Sequence, residues 1–467
     1  MFIRVPKDLI ELAEIFEKNK EKLYIVGGFI RNQIIGIPDK YNTDIDVCSS
    51  ALPEKILKML ENTAFKANYM NKELGVLEIE NNIRVEHATF REEKYSMPGV
   101  HIPDNVKFIK DINKDAQRRD FKCNAIYYDI LEKEIVDPLG GVKDIEKKII
   151  STTLDPKFVF VSDAERILRM VRFACTLGFN INDETYEEAK NNAYKLQYIS
   201  KTRKREEFSR IVLADTKFDF LPETKNAHAR GINMLADLGA LKYVLPALDD
   251  IKNGLLIEDT GKYLFEHIMN VFMFSQPQVR LSALLHDVGK AKVYEKYKNF
   301  NGSQEMANII IESNLGEEGL GYSKKIVERV KNVVFGVDFN KYGFESAKNI
   351  RKFIIENNEN IELIIALRNA IIKDKKGAIG KHFGLNRIYY IYNNMLKTKA
   401  PMRISDLKIN GNDIIERFKD VNVKKLSDLL NKILIIVAGK PYMNNKETLL
   451  ILVGKHINKK KSIYKEN

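Results

Sequence analysis

Two aspartates one residue apart, Asp44 and Asp46 in the run TDIDV, are the residues here best placed to do chemistry. In a strand, alternate side chains share a face, so the pair points the same way. Neighbouring carboxylates repel unless a cation lies between them, and hard oxygen donors of this kind suit Mg2+. Glu86, in IRVEHATF, offers a third acid from a neighbouring strand; alternation puts Arg84 and Ala88 on its face. An isolated Asp-x-Asp pair is more often a solvated strand edge. Just upstream, however, LYIVGGFIRNQIIG reads as strand, tight turn and helix. Gly27 and Gly28 let the backbone approach a ligand closely. The helix start offers unpaired N–H groups and a positive dipole end to a phosphate. Arg31, on the first turn, adds a forked cation. Gly-Gly turns are common by themselves; their coincidence with the paired acids points to a site for a metal and a phosphate.

The elements that must position these groups are short β-rich runs mixed with turns over the first 150 residues: LYIVGG, NTDIDVCSS, LGVLEIE, IRVEHATF, VKFI, NAIYYDI and EIVDP. Helical spacing lies between some of them, as in LPEKILKMLEN. This pattern predicts an α/β domain. From Asp163 the character changes: AERILRMVRFACTLGF has apolar residues at helical spacing, and helical segments dominate to the end. LPALDDIKNG and NNENIE read as interhelical loops, and the basic terminal run KHINKKKSIYKEN as a frayed end.

The chain has 467 residues, enough for several cores. Lys and Arg outnumber the acids 76 to 64, for a net charge of +12. That excess suits a polyanionic partner, and it equally suits a genome that overuses lysine. Cys48, Cys123 and Cys175 are scattered and odd in number, which fits a reducing compartment rather than a disulfide framework. No apolar run is long enough to span a bilayer and the N-terminus does not read as a secretory signal, so a cytoplasmic protein is expected.

GGFIRN followed by DID resembles the signature of polymerase β-type nucleotidyltransferases. QRRDFKCNAIYYD, VDPLGGVKDIEKKII and SDAERILRMVRFACTLGF, in that order, resemble the next three motifs of the class II tRNA CCA-adding enzymes and poly(A) polymerases. The likeness covers about the first 215 residues, and DLKINGNDII resembles a segment near the start of the family's tail. It implies an α+β chain: a polymerase β-like α/β head over 1–150, then an all-α neck over 151–215, a body over 216–395 and a tail over 396–467. It implies template-independent addition of C and A to tRNA 3′ ends from CTP and ATP, with Mg2+ as cofactor. By the same resemblance Asp44 and Asp46 hold the metal, with Glu86 as third carboxylate. Gly27, Gly28 and Arg31 cradle the triphosphate. Arg118, Arg119, Asp120 and Asn124 bind ribose and phosphates. Asp163 and Arg166 meet the base, and Asp137, Gly140, Gly141 and Asp144 form the turn from head to neck. For Asp163 a helix cap, and for Arg166 a surface ion pair, are the structural alternatives. Arg203, Lys204 and Arg205, in KTRKREEFSRIV, are candidate RNA contacts or simply a charged helix face.

Three departures touch nucleotide handling. Asn32 stands where the first motif usually has Asp, Ser162 where the fourth usually has Glu, and YSMPGVHIPDNVKF replaces a loop that commonly carries an Asp and an Arg. A second likeness is to the HD-type metal phosphohydrolases, in FEHIMNVF and RLSALLHDVGKAKVY. His267, His286 and Asp287 fit it, but Ser303 and Asn369 stand where further ligands are expected, so the expectation is a scaffold kept for structure. Lys290 and Lys292 would line an RNA path or a solvated face. The rival readings are a poly(A) polymerase or a relative adding only A or only C, a non-catalytic RNA-binding protein, and a phosphohydrolase acting through the His-Asp pair.

Overall fold

A seven-stranded mixed sheet organises the N-terminal part of the computed structural model, which describes residues 3–95, 103–252, 254, 256–257, 262–337, 346–374, 382–419 and 421–463. In chain order the strands are β1 (Tyr24–Val26), β2 (Asp46–Ser49), β3 (Lys66–Asn71), β4 (Val76–Glu80), β5 (Arg84–Thr89), β6 (Arg91–Lys94), β7 (Asn105–Phe108), β8 (Tyr127–Asp129) and β9 (Glu134–Val136). The sheet runs β3-β4-β5-β2-β1-β8-β9, while β6 and β7 pair apart from it. Within the large sheet only β2 and β5 pair in parallel, and every other neighbouring pair is antiparallel. Parallel strands need a long crossover, and the chain supplies one with the helix Pro53–Leu60 and the hairpin β3-β4.

That register does the positioning. It sets Asp46 beside Glu86 and Val47 beside His87. Alternation in β5 buries Val85, His87 and Thr89 and turns Glu86 outward. On the covered face His87 Nε2 lies 2.8 Å from Ser49 Oγ and Phe16 of the helix Lys7–Lys18 packs on its ring. Burial pushes His87 down to about 3, so it is a neutral core residue. The opposite face, carrying the acids, stays open.

Two strands were not legible in the sequence. β3 is an exposed edge strand, KANYMN, with no alternation to reveal it. β6, REEK, is wholly polar. Asp44 corrects a second expectation: it precedes β2 rather than lying in it, so loop geometry and not strand alternation brings it to Asp46.

By contact the chain forms two units, Met1–Lys252 with Glu317–Gly321, and Asn253–Gly316 with Tyr322–Asn467. In the first, the helix Glu165–Leu177 is buried along nearly its whole length and stops at Gly178, whose φ of 68° is left-handed. The helix Lys201–Val212 packs on it through two ion pairs, Arg203 with Glu165 and Arg172 with Glu207. Among the described residues, the second unit is helical apart from a short pairing of residues 256–257 with 262–263. Its helices Gly289–Tyr297 and Ser303–Leu315 cross so tightly that a Cβ on Gly289 would stand 2.0 Å from the Ser303 carbonyl oxygen. In INGNDII, Asn410 accepts from the N–H groups of Asn412 and Asp413, while Asp413 accepts from that of Asn410. This reciprocal cap starts the helix Gly411–Arg417, whose Ile414 enters a core with Leu430, Ile433, Leu434, Leu449 and Val453. Of the basic C-terminal run, expected to fray, residues 455–463 continue the helix Lys446–Ile463, and 464–467 lie outside the described residues. No helix among the described residues is long and apolar enough to cross a membrane.

Candidate active site

β1 ends at Val26 and the chain turns at Gly27, where φ is 79° and ψ −134°. Only glycine takes that conformation without strain. The turn starts the helix Gly28–Ile35 at the rim of a cleft of about 700 Å³. Gly27, Gly28, Asp44, Asp46 and Glu86 all line it. A second opening of about 900 Å³ shares the three acids and continues past Arg172, Arg210 and Thr216. The carboxylates therefore stand where two recesses meet.

Asp44, Asp46 and Glu86 are open to the cleft. Even so, the cleft walls thin out the water around Asp46, which raises its carboxyl pKa, with Asp44 adding to the rise and Arg119 opposing it. Desolvation and the Asp46 charge likewise raise Glu86. An all-oxygen set held at the cost of mutual repulsion fits a hard divalent cation. The three do not close on one point, however: among the described residues, the only trio of metal-capable atoms lying within 4.8 Å of one another is in the second unit.

The opposite wall is cationic. Arg31 is buried, donates to the Asn124 side-chain oxygen and to Asn32 Oδ1, and lies 5.0 Å from the Phe173 ring centre. Burial, with Arg172 and Arg169 nearby, pushes Arg31 down to about 10. Arg169 and Arg172 also stack on Phe173, at 5.5 and 4.0 Å, so three guanidiniums surround one ring. Lys217 lines both recesses and is lowered by burial and then by Arg31 and Arg172. Cations that depress one another in this way make a receptor for a polyanion.

The expected second-motif residues form the frame of this wall. Asp120 accepts from both Nε and Nη2 of Arg169, at 2.8 and 2.6 Å, and from the Asn124 amide at 3.1 Å. Burial acts to raise Asp120, but Arg169, Asn124 and Arg166 outweigh it and hold it at about 2. Arg118 and Arg119 share Asp115. Burial would raise Asp115 too, yet those two cations and the Tyr127 hydroxyl hold it at about 2. Asp137 accepts from the N–H groups of Gly141 and Val142 and so starts the helix Gly141–Glu146. A Cβ on Gly141 would stand 2.1 Å from the Lys122 carbonyl oxygen.

Asp163 and Arg166 both line the cleft. Asp163 Oδ1 accepts from the Glu165 N–H at 3.0 Å, the bond a helix cap makes. Arg166 donates to the Arg118 carbonyl at 2.8 Å. Of the departures, Asn32 keeps an orienting role, accepting from Arg31 and donating to Asn42. Ser162 bonds back to the Val159 carbonyl and offers the cleft no group. Residues 96–102 of the replaced loop lie outside the described residues; Arg91 and Glu93 before the loop, and Tyr95 and Pro103 within it, line the cleft.

The three candidate RNA contacts are half-buried, and each bonds to a group of the same chain. Arg203 pairs with Glu165, Lys204 donates to the Tyr243 carbonyl and Arg205 to the Gly321 carbonyl. Of these only Arg203 lines the cleft. Lys290 likewise holds Asp287, at 2.6 Å, rather than standing free along a path. Sequence reasoning missed Arg169, Arg172, Phe173 and Lys217. For the first three the signal was present: Arg166, Arg169, Arg172 and Phe173 recur at helical spacing on one side of a buried helix. It also missed Asp374, whose carboxylate lies 2.6 Å from His267 Nδ1, five residues beyond the Asn369 weighed for that role.

A mixed sheet with a glycine turn, paired acids and a cationic wall forms a site suited to a metal and a polyphosphate. Residues 23–151 match the family of the poly(A) polymerase head domain. The CCA-adding enzyme of a Geobacillus species is 32% identical over 248 residues, 52% of this chain and 55% of that one, so the chain spans about half of that relative's length. The CCA-adding enzyme of Staphylococcus epidermidis is 26% identical over 95% of this chain and 99% of its own. The CCA-adding enzyme of Bacillus stearothermophilus, solved in complex with CTP, superposes with a TM-score of 0.69 over 98% of both chains at 19% identity. Over residues 23–151 the chain is thus similar to poly(A) polymerase head domains, and over nearly its whole length it is similar to CCA-adding enzymes and shares their fold.

Proposed function

We propose that this protein extends the 3′ end of tRNA with C and A, taking nucleotides from CTP and ATP and releasing pyrophosphate, without a template. The observation that carries the reading is the junction at Asp44, Asp46 and Glu86, which opens to two recesses that share Arg169 and Lys217, the first also walled by Arg31. A triphosphate fits the cationic wall, and an RNA 3′ end fits the second recess. Mg2+ is the ion the all-oxygen set favours. Asp44 and Asp46 would hold it with Glu86 in support, and when bound it neutralises charge on the phosphate under attack. Arg31 and Lys217 draw in the anion; Asp120 keeps Arg169 pointed at it through a charge-assisted bond. The division into head, neck, body and tail at residues 150, 215 and 395 belongs to this proposal, as does a cytoplasmic location, supported by three buried free cysteines.

The test is single-nucleotide incorporation. A tRNA ending before its CCA, offered each labelled triphosphate in turn, should accept CMP and then AMP, and neither UMP nor GMP. Run-on addition of A to an unrelated RNA would instead favour a poly(A) polymerase.

Asp163 and Arg166 are read as the groups that select the base. Asp163 would accept from the exocyclic amine that C and A share; uracil presents a carbonyl there and meets a carboxylate. Asp163→Ala should relax discrimination against UTP by roughly 1–3 kcal/mol. Loss of its bond to the Glu165 N–H should also cost about 1 kcal/mol of stability. Incorporation ratios and melting temperature, measured on the one variant, separate the two effects. A lower melting point with unchanged ratios would leave Asp163 as a cap alone.

A further inference from the structure

Asp44 is carried on irregular backbone. The pairing of β2 with β1 begins at Asp46, and residues 42–45 belong to no helix or strand. A carboxylate carried this way has no ladder to hold it at the distance a shared cation demands, so the residues just upstream must fix it. Two clamps stand there. Asn42 is buried; its amide donates to the Phe29 carbonyl at 3.1 Å, and its side-chain oxygen accepts from Asn32 Nδ2 at 3.1 Å. Those bonds tie the backbone to the helix Gly28–Ile35.

Tyr41 makes the second clamp, on a segment 178 residues away in sequence, where its hydroxyl donates to Asp219 Oδ1 at 3.3 Å. The Tyr41 ring centre lies 5.0 Å from that of Phe220, at an interplanar angle of 36°, and 6.3 Å from that of Phe218, at 81°. Phe218 and Phe220 meet at 6.2 Å, so the three rings close a triangle. Tilted and edge-on pairs of this kind attract beyond the area they cover. The far side of the clasp is the fixed one. Phe218 is 1% exposed, its carbonyl accepts from the Thr224 hydroxyl at 3.1 Å, and Asp215 in the same segment pairs with the buried His228 at 2.8 Å. The loop is therefore what the rings hold. Tyr41 lines the first recess beside Asp44, and Lys217, which lines both recesses, directly precedes Phe218.

We propose that Tyr41 is a positioning residue: clasped by Phe218 and Phe220, it holds Asp44 where Asp44 can share a divalent ion with Asp46. The inference rests on the reading of these acids as a metal site. It ties the loop that brings a ligand for the ion to the segment that brings a cation for the phosphates, so the two sides of the cleft are set by one contact.

The test measures binding on the full chain, apart from turnover. Mn2+ uptake is followed by electron spin resonance, and the share that Asp46→Ala abolishes is counted as the acid site. CTP affinity is measured by calorimetry with Mg2+ and again with a chelator. Tyr41→Ala should weaken the counted Mn2+ site about 10- to 100-fold, the loss that follows removal of a group orienting a metal ligand. It should weaken CTP binding in Mg2+ and leave binding in chelator unchanged, because the cationic wall is anchored without it. Tyr41→Phe should restore the Mn2+ site, since the stacked ring and not the hydroxyl carries the clasp. Phe220→Ala, a change at an exposed ring on the other side, should reproduce the defect, and the double variant should be no weaker than either single one. Unchanged Mn2+ affinity in Tyr41→Ala, an equal loss of CTP binding with and without Mg2+, or additive losses in the double variant would each overturn the clasp while leaving the acid site standing. If Asp46→Ala removed no Mn2+ from the chain, the acid site itself would fall, and the clasp with it.

Discussion

Asp46→Ala should lower nucleotide incorporation by at least about 1,000-fold while the protein stays folded and still binds RNA. Asp46 stands at the centre of the junction, beside Glu86 in the parallel pairing of β2 with β5 and open to both recesses. Removing its charge takes away a ligand for the ion and so several kcal/mol of stabilisation of the charge that develops on the phosphate, at 1.36 kcal/mol for each tenfold in rate. The fold should not suffer, because the group is exposed and raised in pKa by the dry cleft walls and by Asp44. In the folded state such a carboxylate is a mild burden above its unfolded pKa, and replacing it removes that burden. Incorporation of labelled CMP, read beside a melting curve and an RNA-binding isotherm, is the measurement. Near-normal incorporation would sink the assignment of the acids.

Glu207→Ala should cost the fold roughly 3–5 kcal/mol. Glu207 is 1% exposed and pairs with Arg172 at 2.6 Å and with Arg210 at 3.0 Å. Without it, Arg172 remains buried against Phe173 with Arg31 and Arg169 as neighbours and nothing to offset it. A buried pair broken on one side leaves the desolvation cost of the survivor, which exceeds what the pair contributed when whole. The loss should appear as a lower midpoint in chemical denaturation. Nucleotide triphosphate should restore part of it, since an anion in the cleft relieves the same cations. A variant as stable as the parent would mean that water reaches Arg172 and does the work of Glu207.

The sequence carried the site's acids and its glycine turn because local pattern governs them: a tight turn before a helix, and charged residues where a strand should be apolar. It could not carry the cationic wall as a whole. Arg31, Arg169 and Lys217 come from three separate helices, and no local rule links residue 31 to residue 217. β3 escaped because an exposed edge strand needs no apolar alternation. Asp44 was drawn to the right place by the wrong element. Asp374 was missed for a related reason: motif spacing fixed attention on Asn369, whereas the contact depends on where one helix ends beside another. For the basic run at Arg203 to Arg205, read as an RNA contact or a charged helix face, a charge pattern alone does not say which of its cations also bond to groups of the same chain.

The ring of guanidiniums around Phe173 bears on how the proposed reaction turns over. These cations are fixed before any ligand arrives, and they answer to charge density rather than to a sugar or a base. The spent pyrophosphate offers them as much negative charge as the intact triphosphate did. Release of that product must then break the same ion pairs that drew the substrate in. A pool of pyrophosphate in the cell would hold the cycle back and drive it in reverse, so throughput would depend on a pyrophosphatase that keeps the pool low.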